Sequence, residues 1–200
     1  MVFQYILLVI AYLLGAIPFA VILGKKFKGI DVRKLGSGNP GGTNSLRFLG
    51  KKVGMTVIVL DVIKGGLIVL LVHYNVFGDV TLLHPVAYGL AASLGHVFSV
   101  FIHFRGGKAV ATTVGTIMAY NMIYALILCA IFFVFLKLTK YVSVGSTSVA
   151  VGLIIIALVV QDYNLLIYGG AISLIIIYRH QSNYRNIIAH KESKVTWIGK

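Results

Sequence analysis

Five carboxylates and a single cysteine in 200 residues set the first limits on this chain. Cys129 has no second cysteine to pair with and lies inside an apolar run. A disulfide framework and a thiolate metal site are therefore both excluded, and a thiol in such surroundings is ordinarily inert. The acids are Asp31, Asp61, Asp79, Asp162 and Glu192. None forms a His-x4-Asp pair, since His73 and Asp79 are one residue too far apart, and no Gly-x-Ser-x-Gly elbow occurs. A hydrolase or acyltransferase that works through a carboxylate-oriented histidine thus lacks its parts. No set of His, Cys and carboxylates has a metal-ligand spacing, so neither metal nor cofactor is expected. The first apolar stretch has no charge before it and no small-residue cleavage site after it, and it reads as a retained helix. No fixed-period repeat and no separate soluble segment is visible, so residues 1–200 read as one domain.

What the chain has in abundance is apolar surface and positive charge: 58% hydrophobic residues, 12% charged, and a net charge of +13. That balance points to a membrane protein with membrane lipid as its surroundings, and away from nucleic acid. Apolar runs recur at Ile6–Leu23, Val53–Val72, Leu82–Ile102, Ala109–Tyr120, Met122–Leu136, Val142–Val160 and Leu165–Tyr178. The stretch from Ala109 to Leu136 is too long for one untilted span, at about 42 Å against a hydrocarbon core of about 30 Å. Splitting it near Asn121 places segments 25–52, 103–108, 137–141 and 179–200 on one side, with 8, 2, 2 and 5 basic residues. Loops on the other side, around 73–81, 121 and 161–164, hold none. Lys64, inside a run, is the remaining cation. The positive-inside rule then predicts an all-α integral membrane protein with seven transmembrane helices, N-terminus external and C-terminus cytoplasmic.

The polar motifs all fall on the predicted cytoplasmic side. Gly36-Ser-Gly-Asn-Pro-Gly-Gly-Thr-Asn-Ser-Leu-Arg47 is far richer in glycine than a chain reversal needs. Its glycines permit positive φ and close backbone approach, as an anion cradle requires. Ser37, Gly38, Asn39, Gly42, Thr43 and Asn44 are candidate binding positions there, and Arg47 offers a bidentate charge. A second cluster runs from Gly95-His96 to Arg105-Gly106-Gly107-Lys108. Two glycines before a lysine at a helix start suit a phosphate, with Lys108 as a mobile point charge. A third holds His180 and Asn183, three apart and so on one helical face. A fourth holds Ser143 and Ser146, either of which could line a site. Packed or interfacial roles compete for each histidine. Asp61 and Lys64 share a helix face near the middle of a run. They read as a structural ion pair or as a wet relay, for charge at that depth must be paired or face the bundle interior.

These motifs resemble the bacterial membrane-bound acyl-phosphate:glycerol-3-phosphate acyltransferase family. The shared features are Gly-Ser-Gly-Asn-Pro-Gly-Gly-Thr-Asn-Ser-Leu-Arg, Gly-His-x-Phe with Phe-x-Gly-Gly-Lys-x-Val-Ala-Thr, Arg-His-x-x-Asn and Asp61-Val-Ile-Lys64-Gly65. The resemblance implies acyl transfer from acyl phosphate to glycerol 3-phosphate, giving lysophosphatidate and phosphate in phospholipid synthesis. It further implies a bacterial cytoplasmic membrane, a site on the cytoplasmic face, and functional coupling to the enzyme that makes acyl phosphate. Carried over by position, Ser37, Arg47, Lys108, His180 and Asn183 look like the family's polar site residues, and Ser146 like its serine at the start of the sixth span, with Ser143 competing. Arg47, Lys108 and Asn183 are the expected catalytic groups. Ser37, Gly38, Asn39, Gly42, Thr43, Asn44, His96, Gly106, Gly107, Ser143, Ser146 and His180 are the expected substrate contacts. The chain departs from the family pattern at Gly42 (usually Ala), Ser45 (Val), Ser99 (Pro), Ala109 (Gly) and His190 (Gly), and its Arg185 is shifted in register. A transporter of phosphorylated metabolites is the competing class. Such a protein would place ligand groups at mid-membrane in symmetry-related halves, a pattern this chain lacks.

Overall fold

The computed structural model describes residues 2–78 and 82–195, and every regular element among them is helical. Ten α-helices follow in order: α1 Val2–Ala16, α2 Phe19–Lys28, α3 Gly42–Phe48, α4 Lys51–His73, α5 Pro85–Val97, α6 Val110–Tyr120, α7 Met122–Thr139, α8 Val142–Val159, α9 Gly170–Arg179 and α10 Gln181–Ile188. Five stretches are long and apolar enough to cross a membrane: Val2–Lys28, Lys51–His73, Pro85–Ile102, Met122–Thr139 and Val142–Val159. Val110–Tyr120 and Leu165–Arg179 are shorter apolar helices. At eleven residues α6 rises only about 16 Å. The chain divides into two compact units, Met1–Tyr120 and Asn121–Lys200. Asp79, expected on the external side, and the last basic residue, Lys200, lie outside the described residues.

The helix ends follow from local chemistry. The expected continuous span Ile6–Leu23 is broken at Ile17-Pro18, because proline has no N–H for the ladder and biases its predecessor away from α. α2 ends on Gly29 at φ 66°, whose N–H returns to Gly24 and Lys25 carbonyls, while Lys25, Lys26 and Lys28 oppose the dipole of the last turn. The expected span Leu82–Ile102 is helical only from Pro85 to Val97, with proline in the first turn and a 3₁₀ turn at Val100–Ile102. The break predicted at Asn121 is present. Its side chain accepts from the N–H groups of Ile123 and Tyr124 and so caps α7. The last apolar run opens with a π turn, Leu165–Gly169, before α9.

In the first unit α4 and α6 pack with almost no side chain between them. A Cβ at Gly65 would strike the Thr112 carbonyl, and one at Gly115 the Val62 carbonyl. Thr116 donates its hydroxyl to Gly65 O at 3.1 Å across the same contact. α1 and α5 approach in the same manner through Gly15 against Ala92 and Gly95 against Tyr12. Tyr12 donates to Phe98 O at 2.6 Å, and Ser99 donates its hydroxyl to Ala16 O, tying the lower end of α5 to the break after α1. In the second unit the α7–α8 contact runs through Gly145, where a Cβ would meet the Phe132 carbonyl and ring, and Gly152, which faces the side chains of Ile131 and Leu128.

Candidate phosphate-binding site

The glycine-dense motif folds as a loop leading into α3. Gly36 and Gly38 take φ of 53° and 69°, the left-handed region that glycine enters without strain. At Gly36 a side chain would also collide with the Phe48 ring. Asn44 is buried, and its amide donates to Val32 O and Leu35 O at 3.0 Å each. That amide therefore fastens the loop, and only the carbonyl end of Asn44 keeps acceptor capacity. Ser37, Thr43 and Arg47 are exposed, with Ser37 Oγ accepting from Asn39 N–H at 3.4 Å. Just before the motif, Arg33 grips Asp31 at 2.6 Å and holds its carboxyl at about 2, below the ordinary 3.8.

The second motif lies against the end of α5. The Gly106 and Gly107 N–H groups donate to Val97 O and His96 O, each at 3.0 Å, so the segment doubles back along that end. Glycine is required there for close approach, since a Cβ at 106 would meet the His96 and Val97 carbonyls and one at 107 the His96 ring. The helix starts at Val110, two residues beyond Lys108. Ala109, at φ 61°, accepts at its carbonyl from both Thr113 N–H and Thr113 Oγ1. Lys108 is half-buried in the segment before it.

Asp61 and Lys64 form an ion pair of 2.7 Å with side chains 3% and 4% exposed, in line with the structural reading. Lys64 also donates to Ile17 O at 2.9 Å, a carbonyl freed by the break at Pro18. The claim that no histidine faces a carboxylate fails here. His96 Nδ1 lies 3.7 Å from Asp61 Oδ1, a pairing between α5 and α4 that no local spacing could reveal. Below Gly106 and Gly107 a cavity of about 10 Å³, the size of one water, is lined by Pro40, Lys64, His96 and Ser99 among others. Pro40 of the first motif and the glycines of the second thus meet within the first unit.

In the second unit Glu192 gathers two expected site residues. Its Oε1 accepts from Ser143 Oγ at 3.0 Å and from Asn183 Nδ2 at 2.7 Å. Ser146 spends its hydroxyl on Val142 O of its own helix, which separates the two serines left open by sequence. His180 is buried with Nδ1 2.8 Å from Ile176 O, a bond that caps α9. Glu192 had no assigned role, because nine residues separate it from Asn183 and no helical spacing links them. The chain reverses at His190, φ 56°, and that turn brings the acid back. Arg185 is exposed on a groove of about 360 Å³ with Tyr178, Arg179 and Asn186.

Comparison with known proteins decides the family. The family model described as glycerol-3-phosphate acyltransferase matches residues 5–190. The chain belongs to the glycerol-3-phosphate acyltransferase family. It is 45% identical over 201 residues to glycerol-3-phosphate acyltransferase 3 of Bacillus anthracis, covering 100% of this chain and 99% of that one. It is 42% identical over 196 residues to the glycerol-3-phosphate acyltransferase of Bacillus subtilis strain 168, covering 96% and 98%. Among solved structures it resembles PlsY, an integral membrane glycerol 3-phosphate acyltransferase, in its glycerol 3-phosphate form. The TM-score is 0.88 at 35% identity, with 96% of each chain covered. The lysophosphatidic acid form of PlsY gives 0.86 at 34% identity, covering 96% of this chain and 95% of that one.

Proposed function

We propose that this chain transfers a fatty acyl group from acyl phosphate to glycerol 3-phosphate, yielding 1-acyl-glycerol 3-phosphate and phosphate. The observation that carries it is the meeting of the two glycine motifs, through Pro40, Gly106 and Gly107, in a chain otherwise built of apolar helices. Both substrates carry phosphate, and exposed Arg47 and half-buried Lys108 lie at the edges of those motifs. The glycerol hydroxyl oxygen attacks the acyl carbonyl, the carbonyl–phosphate bond breaks, and phosphate leaves with the hydroxyl proton. A mixed anhydride is activated beforehand, so positioning and charge stabilisation supply most of the acceleration. His96 is a poor general base despite its carboxylate, because its Nε2 side abuts the backbone of Gly107. Asn183 and Ser143 are assigned to substrate through the polar cluster at Glu192, and residues 1–200 act as one acyltransferase domain.

We further place the chain as seven spans in the bacterial cytoplasmic membrane, N-terminus out and C-terminus in, with the site on the cytoplasmic face. The support is the distribution of 17 basic residues on one set of loops and none on the other. Reporters fused after Lys140 should read cytoplasmic and one at Asn164 external; a cytoplasmic signal at Asn164 refutes the topology. The activity is tested with purified protein, labelled glycerol 3-phosphate, and acyl phosphate, acyl-CoA or acyl-carrier protein as donor. Acyl phosphate should be the donor used. Product from acyl-CoA or acyl-carrier protein but none from acyl phosphate overturns the donor assignment, and no product from any donor overturns the enzyme.

A further inference from the structure

A buried ion pair on one helix needs only two partners, yet the Asp61 carboxylate has a third. The same oxygen that meets Lys64 Nζ at 2.7 Å also faces His96 Nδ1 at 3.7 Å. His96 is 8% exposed and stands at the end of α5, where its backbone carbonyl takes the N–H of Gly107. Its ring lies so close beneath Gly107 that a methyl group there would collide with Nε2. Lys64 in turn anchors the Ile17 carbonyl and sits 5.5 Å over the Phe19 ring, which fixes the ammonium from the other side. Every contact in this chain, from Phe19 through Lys64, Asp61 and His96 to Gly107, lies inside the first compact unit.

We infer that Asp61 is a positioning residue: it fixes the His96 imidazole, and His96 sets the place of Gly106-Gly107 and so of Lys108. The inference deepens the proposed function, because it gives that buried pair a part in holding a substrate phosphate. A loop held by two backbone hydrogen bonds and one ring has little freedom to adjust. Loss of the ring's orientation therefore moves the segment that carries Lys108, and misplacement of a binding group by about 1 Å can cost about a hundredfold in rate.

Two variants separate this role from simple stability. Asp61→Asn with Lys64→Gln removes both charges, so neither is stranded in the core; His96→Ala leaves the ion pair intact. Either variant that keeps the parent melting temperature in detergent carries the test. Each should raise the KM for at least one of the two phosphate-bearing substrates at least tenfold. Combining all three changes should do no more than His96→Ala alone, because Asp61 acts through His96. Parental KM values for both substrates, or effects that multiply, overturn the inference. Amide exchange needs no substrate: the Gly106 and Gly107 amides should exchange at least tenfold faster in either variant, with α7 unchanged. Parental exchange at those glycines refutes positioning by itself. An unmodified protein that fails to turn over refutes the functional reading instead, and the exchange arm still decides the role of Asp61.

Discussion

The two compact units solve the problem of polar groups in an apolar chain differently. The first buries a charged pair, whereas the buried polar residues of the second are Ser143, Ser146, Ser173 and His180. Asp61, Lys64, His96, Thr112, Thr113 and Thr116 are all within the first unit's interior, and its helices touch backbone to backbone through Gly65, Gly115, Gly15 and Gly95. The second leaves its helices broadly apolar and exposed. Ile123, Leu126, Phe133 and Leu138 stand outward on α7, and the polar contacts collect where α8 and α10 begin. A rigid, closely seated scaffold suits a phosphate cradle that must hold its shape. Backbone contact demands glycine at Gly15, Gly65, Gly95 and Gly115 of the first unit and, less tightly, at Gly145 of the second.

Substitutions at glycines should split along that line. Gly115→Leu drives a side chain into the Val62 carbonyl, which cannot move aside. It should cost about 3 kcal/mol or more, read as failure to recover folded protein or a large fall in melting temperature. Gly170→Ala, with nothing within 4 Å, should be neutral or gain a few tenths of a kcal/mol from helix propensity. Equal damage at both positions would erase the distinction between the units.

Glu192→Gln is the next largest change and probes the second unit's polar cluster. It keeps the shape but removes the charge that strengthens the bonds from Ser143 and Asn183. A loss of about 2 kcal/mol in stability or transition-state binding is expected. Unaltered melting temperature and turnover would mean that the second unit does not depend on this cluster. Smaller still is Ser45→Val. Ser45 is fully buried and its hydroxyl has no partner among the described residues, so valine should stabilise by about 1 kcal/mol. A fall in melting temperature would show that the hydroxyl is satisfied. Ala109→Gly and His190→Gly, one in each unit, should act on a similar small scale. Both positions have left-handed φ, and glycine should gain about 0.5–1 kcal/mol in thermal unfolding.

Those two positions show how much the sequence disclosed. Ala109 and His190 stand where the family pattern usually has glycine, and the structure gives the reason in their φ angles. The break at Asn121 was legible because length and charge parity demanded it and an asparagine stood ready to cap. The break at Pro18 was overlooked although proline marks it, since the apolar run continues across it without interruption. The motif residues were legible by type, but their tasks were not. Asn44 fastens the loop, and Gly106 and Gly107 make room for His96; both facts depend on contacts across helices. Asp61–His96 and Asn183–Glu192 were beyond reach for the same reason. Local spacing reports one helix face, and these pairs join separate elements.

The central claim is direct transfer between two phosphate-bearing substrates without a protein nucleophile. It is tested most directly by acyl phosphate labelled in its acyl group, added to purified protein with and without glycerol 3-phosphate. With the acceptor, labelled lysophosphatidate should form and double-reciprocal lines should intersect; without it, the protein should carry no label. Cys129→Ala should behave as the parent does. A stable acylated residue formed from acyl phosphate alone, with parallel lines, would contradict direct transfer and establish a route through a covalent intermediate.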